Sequence, residues 1–417
     1  TASSASTSTV SASASAAGGT SEAASKSPSG GGSVDQQVAD QQSYGADQAS
    51  DAGSKSSGGG GKKAPAAKDN SGSSIALAGA VGVNVSSNAA VASTADGLSI
   101  VAGDALTLAA SATTAGEAHA DGSAAGRGDP AKYGVGVAVG LNLASSVDRA
   151  TLGSSNVVEA KGVSLSAGMV NGTDRNSFQA SAKSGASGAD IGVAGALALN
   201  IVLENVSESV VPGSTTIAAK GGDVSLVAVN NADSLAEATP LDTGGVGGKL
   251  GVGVSIALNV VPSVTRAEVE NGGVITGAND LTLSASSDHS ATTTATSGGS
   301  GTSGTGVGIS AGIAIVDDAT TARLGTQTGG GTTTIGGAFS ASAVHVGTSV
   351  TSAGAKSSGN SAVGIGIGVN VVDEDATANL SRSLAAGGAV SLTASSASTS
   401  TVSASASAAG GTSEAAS

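Results

Sequence analysis

Six stretches of the chain alternate between large aliphatic residues and small residues. In residues 251–261, valine, isoleucine and leucine occupy every second position, and glycine, serine, alanine and asparagine lie between them. A period of two over this length predicts a β-strand. The same design recurs at residues 75–85, 134–143, 191–201, 307–315 and 363–371. These stretches predict six equivalent strands, each with one aliphatic face and one small-residue face.

The spacing of these strands predicts a repeat protein. An asparagine closes the small face in five of the six strands, and Ala314 takes its place once; the successive gaps are 58, 58, 59, 55 and 56 residues. A unit of about 57 residues divides into three similar pieces, so we expect three coils of roughly 19 residues per unit. The predicted fold is an all-β, tandem-repeat parallel β-helix (β-solenoid). Its branched aliphatic residues are expected to fill a thin common interior, and about eighteen coils at ~4.8 Å would form a rod of roughly 90 Å.

A second and longer repeat appears when the two ends of the sequence are compared. Residues 1–25 and 393–417 are identical, at an offset of 392 residues. We interpret this identity as a 392-residue super-repeat that is arrayed in tandem in a much longer protein. An engineered duplication is the alternative.

The unit boundaries follow from these two periods. Residues 1–25 end one repeat unit, and residues 26–73 form a Gly-, Ser- and Gln-rich insertion that we expect to be flexible or to project laterally. Other units also vary in length just before the aliphatic strand, which predicts one corner that tolerates insertions. The six predicted repeats are residues 74–133, 134–190, 191–250, 251–304, 305–361 and 362–417.

Composition excludes several functional classes. Two Phe, two Tyr and no Trp leave no aromatic-rich core or binding cleft, and a formal net charge of −14 disfavours nucleic acid as a partner. The chain has no cysteine, and it has no apolar run long enough to span a bilayer, so neither thiolate metal sites nor membrane insertion are expected. No Ser/His/Asp arrangement or phosphate-binding loop can be found, so the chain is not expected to be an enzyme.

Two types of segment resemble known bacterial exoproteins. ITGANDLTLSAS and IAAKGGDVSLVA look like coils of filamentous-haemagglutinin-type adhesins, and GVGVAVGLNL looks like repeats of leukotoxin-like exoproteins. The resemblance implies a right-handed parallel β-helix that is secreted and displayed at a bacterial cell surface. It leaves two functions open: a self-assembling rod, fibre or sheath, and the passive shaft of an adhesin, haemagglutinin or leukotoxin-like protein.

The glycines of the small face suggest a route to self-assembly. Without side-chain bulk, another β-sheet can approach closely. This face is therefore expected to be covered by another layer of the same chain, to pack against a neighbouring rod, or to remain an exposed and inert side. The candidate positions are Gly134, Gly136, Gly140, Gly251, Gly253, Gly364, Gly366 and Gly368.

Polar residues supply a few further candidates. Carboxylates that follow two core strands are candidate calcium ligands, although a solvated acidic turn is the favoured interpretation; they are Asp317, Asp318, Asp373, Glu374 and Asp375. The strand-ending asparagines would lie about three coils apart, so each is expected to bond to local backbone rather than to its equivalents; they are Asn84, Asn142, Asn200, Asn259 and Asn370. The three histidines occupy different offsets within their units, so no metal site is expected from them. No cofactor is expected beyond calcium.

One short motif concerns a partner. Arg127, Gly128 and Asp129 form an RGD tripeptide in a Gly- and Asp-rich loop. A receptor ligand is one interpretation, and a chance tripeptide is the favoured one because short motifs recur by chance. The expected partners are copies of the same unit, end to end within one chain and side by side. A host receptor or glycan is the alternative partner.

Overall fold

The computed structural model describes residues 1–16, 75–124, 132–171, 174–327 and 332–411. These residues form twenty β-strands and no helix, and all the strand pairs are parallel. The predicted all-β parallel solenoid is therefore confirmed. The insertion at residues 26–73 and the RGD tripeptide lie outside the described residues.

The aliphatic stretches form one six-stranded sheet, which we call the front sheet. Its strands, in spatial order, are β18 (Ser361–Leu380), β15 (Thr305–Leu324), β12 (Leu250–Val269), β9 (Ile191–Val211), β5 (Tyr133–Thr151) and β2 (Ile75–Ser93). Every aliphatic stretch thus pairs with its equivalents in the neighbouring repeats.

The Ser-, Thr- and Ala-rich segments form an eight-stranded sheet, which we call the back sheet. Its strands are β1 (Ala2–Ala16), β4 (Leu106–Ala124), β7 (Val163–Gly168), β8 (Asn176–Gly188), β11 (Val224–Gly247), β14 (Leu281–Gly301), β17 (Phe339–Gly359) and β20 (Val390–Gly410). Short strands close the coil between the two sheets; they are β3 (Ser99–Val101), β6 (Val157–Glu159), β10 (Thr216–Ala218), β13 (Val274–Thr276), β16 (Thr332–Ile335) and β19 (Ser383–Ala386).

Each repeat unit makes one coil, not three. Asn84 pairs with Asn142, which pairs with Asn200, so one turn of the solenoid consumes 58 residues. The prediction of three coils was wrong because the piece LTLSAS and the following Ser/Thr/Ala alternation belong to one long strand, β14. The 392 residues that separate the two identical segments therefore supply six coils, which rise about 29 Å rather than ~90 Å at ~4.8 Å per coil.

The interior is thick at one end and thin at the other. Where the short strands close the coil, inward aliphatic side chains such as Leu165, Ile217, Leu226 and Leu283 form a dry core. Towards the opposite edge the front and back sheets approach each other until mainly alanine, glycine and small hydroxyl residues such as Ser255 and Ser310 separate them. The coil is therefore a wedge with a conventional core at its base and a flat seam along most of its length.

The small-residue face of the front sheet points into this seam. A Cβ atom at Gly253 would lie 1.9 Å from the Gly298 carbonyl oxygen, and one at Gly134 would lie 2.2 Å from that of Ser187. All eight candidate lateral-packing glycines meet the back sheet in this way, at 1.9 to 2.9 Å. Of the three expectations for this face, cover by another layer of the same chain is confirmed. The lateral-packing assignment is wrong because the back sheet already occupies the surface of these glycines.

The thin edge of the wedge carries the turns between the back and front sheets. In the third coil only Ala189 and Asp190 connect β8 to β9, and in the sixth only Asn360 connects β17 to β18. Several segments that the sequence suggested as insertions are therefore mostly strand. The segments that precede β2 and β5 lie almost entirely outside the described residues.

Candidate functional site

The outer face of the front sheet is a regular array of aliphatic side chains. Because the small residues point inward, the alternating Val, Ile and Leu residues point outward, contrary to the expectation that they fill the interior. Strand register aligns them in rows across all six strands. The central row is Val81, Val139, Leu197, Ile256, Ala311 and Ile367, and the next is Val83, Leu141, Leu199, Leu258, Ile313 and Val369. We call the five rows from Leu77 to Val85 and their equivalents the aliphatic face.

Much of this face is exposed. Val81 is 63% exposed and Ile367 is 50% exposed, on the two outermost strands of the sheet. Six strands at ~4.8 Å spacing and nine residues at ~3.3 Å give the face an area of about 850 Å². Soluble monomers rarely expose apolar patches of more than a few hundred Å². This face is therefore the strongest candidate for an interaction surface among the described residues.

Charged residues border the aliphatic face without entering it. No residue of its five rows is charged, and charges begin on the same strands towards the base of the wedge. Arg149 lies 2.9 Å from Glu208, whereas Asp317 and Asp373 are exposed carboxylates on neighbouring strands. The outer face of the back sheet differs, because on β14 it consists largely of serine and threonine. The wedge thus has one apolar side and one polar side.

The asparagines form a buried ladder along the solenoid axis. Asn84 Nδ2 donates to Asn142 Oδ1 at 2.8 Å, Asn142 donates to Asn200 at 2.8 Å, and Asn200 donates to Asn259 at 2.9 Å. The expectation that each asparagine serves only local backbone was wrong, because one coil per unit places them in adjacent coils. The ladder stops at Ala314, and Asn370 bonds instead to Ser349 and Ser400.

The two copies of the repeated segment occupy opposite ends of the back sheet. β1 pairs with β4 at one end, and β20 pairs with β17 at the other. Residues 2–16 are identical to residues 394–408. The same sequence therefore forms the edge strand that follows β17 and the edge strand that precedes β4.

Ser8 and Ser400 are equivalent positions in the two identical segments, and their hydrogen bonds to asparagine are complementary. Ser400 accepts a hydrogen bond from Asn370 Nδ2 at 2.9 Å. Ser8, its equivalent 392 residues earlier, donates to Asn84 Oδ1 at 2.5 Å. A single hydroxyl can accept one bond and donate another, so one serine at this position can serve both asparagines at once.

A buried carboxyl in the front sheet gives the fold a pH dependence. Asp148 is 1% exposed; Ser207 donates to its Oδ2 at 3.4 Å, and Oδ1 has no hydrogen-bond partner among the described residues. Burial raises the pKa of Asp148 to about 8, although hydrogen bonds from Ser207 and the Ala112 backbone act in the opposite direction. The neutral carboxyl is the favoured form inside the seam.

We expect Asp148→Asn to flatten the dependence of stability on pH. The pKa of about 8 in the folded chain exceeds the ordinary value of 3.8, so the folded chain holds this proton more tightly than the unfolded chain. Its contribution to the free energy of unfolding therefore falls as pH rises from about 4 to about 8, by up to ~1.4 kcal/mol per pH unit. Denaturant titrations across this range check the slope, and Asp317→Asn controls for the loss of one exposed charge. Equal slopes for Asp148→Asn and the unmodified chain would contradict this assignment.

The candidate calcium carboxylates do not surround a common point. Asp317, Asp373 and Asp375 point outward, whereas Asp318 and Glu374 point into the seam. There they meet two histidines of the back sheet, His289 and His345. Sequence reasoning missed these histidines because they occupy different offsets within their units. His119 lies apart on the outer face of the back sheet, where it contacts Ser181 and Glu117.

Comparison with known proteins identifies no relative. No family model, curated protein or solved structure matches the chain. Across the described part of the chain, no helix has the length and apolarity that a membrane crossing requires. The aliphatic face and the two solenoid ends are therefore the features of the molecule that suggest a function.

Proposed function

We propose that this chain is a structural module of a giant, tandemly repeated extracellular bacterial protein. In this proposal, consecutive copies stack coil on coil into one rod, and rods associate side by side into a fibre or sheath at the cell surface. The bacterial and extracellular parts of the proposal rest on the resemblance to haemagglutinin-type and leukotoxin-like repeats.

The matched hydrogen bonds of Ser8 and Ser400 carry the end-to-end part of the proposal. When β20 of one copy takes the place that β1 occupies against β4, Ser400 accepts from Asn370 and donates to Asn84 of the following copy. The asparagine ladder then continues through this serine. Backbone hydrogen bonds of both sheets run along the rod axis, so tension along the rod is carried by many bonds at once.

The aliphatic face supports the side-by-side part of the proposal. We assign its occupant as the aliphatic face of a second copy, because two identical flat faces without charges can meet without burying an unpaired ion. An area of about 850 Å² per copy reaches the ~800 Å² per partner of a standard protein interface. Every further copy in the array would extend this area.

The passive shaft of an adhesin is the second candidate function. A shaft that stands alone in water needs polar outer surfaces, and the Ser/Thr-rich outer face of β14 meets this requirement. The aliphatic face does not meet it, which is why we favour an assembling fibre. An adhesin shaft would remain a single rod under the conditions in which a fibre module bundles.

Removal of β1 tests the end-to-end proposal. Deletion of residues 1–16 uncovers the edge of β4, and we expect β20 of another molecule to fill it, so that the shortened chain polymerises. A peptide with the sequence of residues 1–16 should compete for that edge and shorten the polymers. Analytical ultracentrifugation and negative-stain electron microscopy measure the length distribution.

A second deletion provides the matched control. A chain that lacks both residues 1–16 and residues 390–417 has the open edge of β4 but no donor strand, and it should not polymerise through this edge. End-to-end stacking through β20 would be contradicted if polymers reached equal length with and without residues 390–417. It would also be contradicted if the peptide did not change polymer length.

A further inference from the structure

Four ionisable side chains meet inside the seam, away from the aliphatic face. Two histidines come from adjacent strands of the back sheet, His289 on β14 and His345 on β17. Two carboxylates come from adjacent strands of the front sheet, Asp318 on β15 and Glu374 on β18, and these two residues are direct register partners. The pairing of the sheets therefore places two imidazoles opposite two carboxylates.

The contacts within this cluster are short. The His289 Nδ1 atom contacts Asp318 Oδ2, His345 Nδ1 lies 3.5 Å from Asp318 Oδ1, and His345 Nε2 lies 3.5 Å from Glu374 Oε2. One ligand atom from each of His289, Asp318 and His345 can be chosen so that all three lie within 4.8 Å of one another. Ligand atoms around a tetrahedral ion with metal–ligand bonds of about 2.0–2.2 Å lie ~3.4 Å apart, so one nitrogen of each histidine and one Asp318 oxygen need only small movements to share such an ion.

All four side chains are almost completely removed from solvent. The exposed fraction is 5% for His289, 0% for Asp318, 0% for His345 and 3% for Glu374. Five of their polar atoms form no hydrogen bond among the described residues; four of them face each other in the His289 Nδ1–Asp318 Oδ2 and His345 Nε2–Glu374 Oε2 contacts, and the fifth is His289 Nε2. Buried polar atoms without hydrogen bonds are costly and rare, so this concentration of them indicates a ligand.

Neighbouring residues orient the cluster. Ser287 Oγ lies 2.7 Å from His345 Nδ1 and 2.6 Å from Thr320 Oγ1, which in turn donates to Asp318 Oδ1 at 3.2 Å. With Nδ1 bound to Ser287, the Nε2 lone pair of His345 faces Glu374. Hydrogen bonds that fix the other ring nitrogen in this way are typical of metal-bound histidine.

Gly347 leaves space for the Glu374 carboxylate. A Cβ atom at Gly347 would lie 2.3 Å from Glu374 Oε1, so any side chain there would displace the carboxylate. Gly347 is also the register partner of His289. The local sequence thus permits all four groups to enter one small volume between the sheets.

We propose that His289, Asp318 and His345 bind one divalent transition-metal ion beside the Glu374 carboxylate, and Zn²⁺ is the probe. Two imidazole nitrogens and a carboxylate oxygen suit zinc, whereas calcium takes six to eight oxygen ligands. All of these groups are buried between the two sheets, so we assign the site a structural role. The ion neutralises both buried carboxylates and joins the two sheets in the last coils of the unit.

Metal binding to the full chain tests this site directly. After chelator treatment and removal of the chelator, isothermal titration with ZnCl₂ should give one site per chain, and one zinc should remain after gel filtration. Co²⁺ should bind with the visible absorption of tetrahedral coordination. Zinc should also raise the Tm of the chain, because it binds the folded state preferentially.

Variants separate this site from unspecific surface binding. His345→Ala and His289→Ala should each weaken zinc binding at least about a hundredfold, while His119→Ala on the outer face should bind as the unmodified chain does. Circular dichroism confirms that each variant is folded before titration. A folded, unmodified chain that binds no stoichiometric Zn²⁺ or Co²⁺ would overturn the proposal and would identify the cluster as two histidine–carboxylate ion pairs. Undiminished zinc binding by folded His345→Ala would also overturn it.

Discussion

Gly253→Val is expected to prevent the wedge from closing. A Cβ atom at this position would lie 1.9 Å from the Gly298 carbonyl oxygen, which belongs to the backbone of β14 and cannot rotate away. Either the two sheets separate along the seam or β12 leaves its register. Overpacking of a core by a few methyl groups typically costs 1–3 kcal/mol, and we expect about 3 kcal/mol or more here because the obstacle is backbone.

A matched glycine on the opposite face provides the control. Gly195 lies on the neighbouring strand β9, and an added Cβ there meets nothing within 4 Å. Its register partners are Val137 and Val254, so Gly195→Val adds an aliphatic side chain between two others of the aliphatic face. Guanidinium denaturation should show a large loss of stability for Gly253→Val and no loss for Gly195→Val. Equal losses for both variants would contradict the assignment of inner and outer faces.

Leu199→Lys is expected to abolish side-by-side association while leaving the fold intact. Leu199 lies near the centre of the aliphatic face, between Leu141 and Leu258. Two facing copies would bury the new ammonium group without a partner, and an unpaired buried charge is strongly unfavourable. We expect lateral association to weaken at least about a hundredfold, and light scattering together with electron microscopy measures it.

The polar side of the wedge supplies the control for this variant. Ser284→Lys places the same charge on the outer face of β14 in the back sheet. It should leave lateral association unchanged. If both lysines disperse the bundles equally, general charge repulsion explains the effect; if neither does, rods meet through another surface. Attachment of single rods to lipid vesicles, lost in Leu199→Lys, would instead assign the aliphatic face to a membrane.

The repeating strand pattern predicted the fold class, but it could not assign the two faces of the front sheet. The alternation indicates that each strand has two different faces, and larger apolar residues are usually buried in the protein interior. Here the rule fails at Gly251 and Gly253, because a face without side chains lets the back sheet approach to backbone contact. A large seam between two fully hydrogen-bonded sheets thus replaces a conventional core along most of the wedge.

The candidate metal site could not be predicted from the sequence, for a different reason. His289 and His345 occur in different units, and their offsets differ by two positions, since His345 is the register partner of Ser287. Both positions share one face of the back sheet only once the strand register is known. The asparagine ladder was missed because we expected three coils per unit, which would place equivalent asparagines three coils apart. Each unit makes only one coil, so they lie in adjacent coils.

Cryo-electron microscopy of a two-copy chain would show whether consecutive copies form one solenoid. Such a chain carries residues 1–392 followed by residues 1–417. We expect a single solenoid of one cross-section, with both sheets continuous across the junction and about 29 Å of rise added by the second copy at ~4.8 Å per coil. Two bodies with separate sheets would contradict this expectation, as would an added rise near 90 Å.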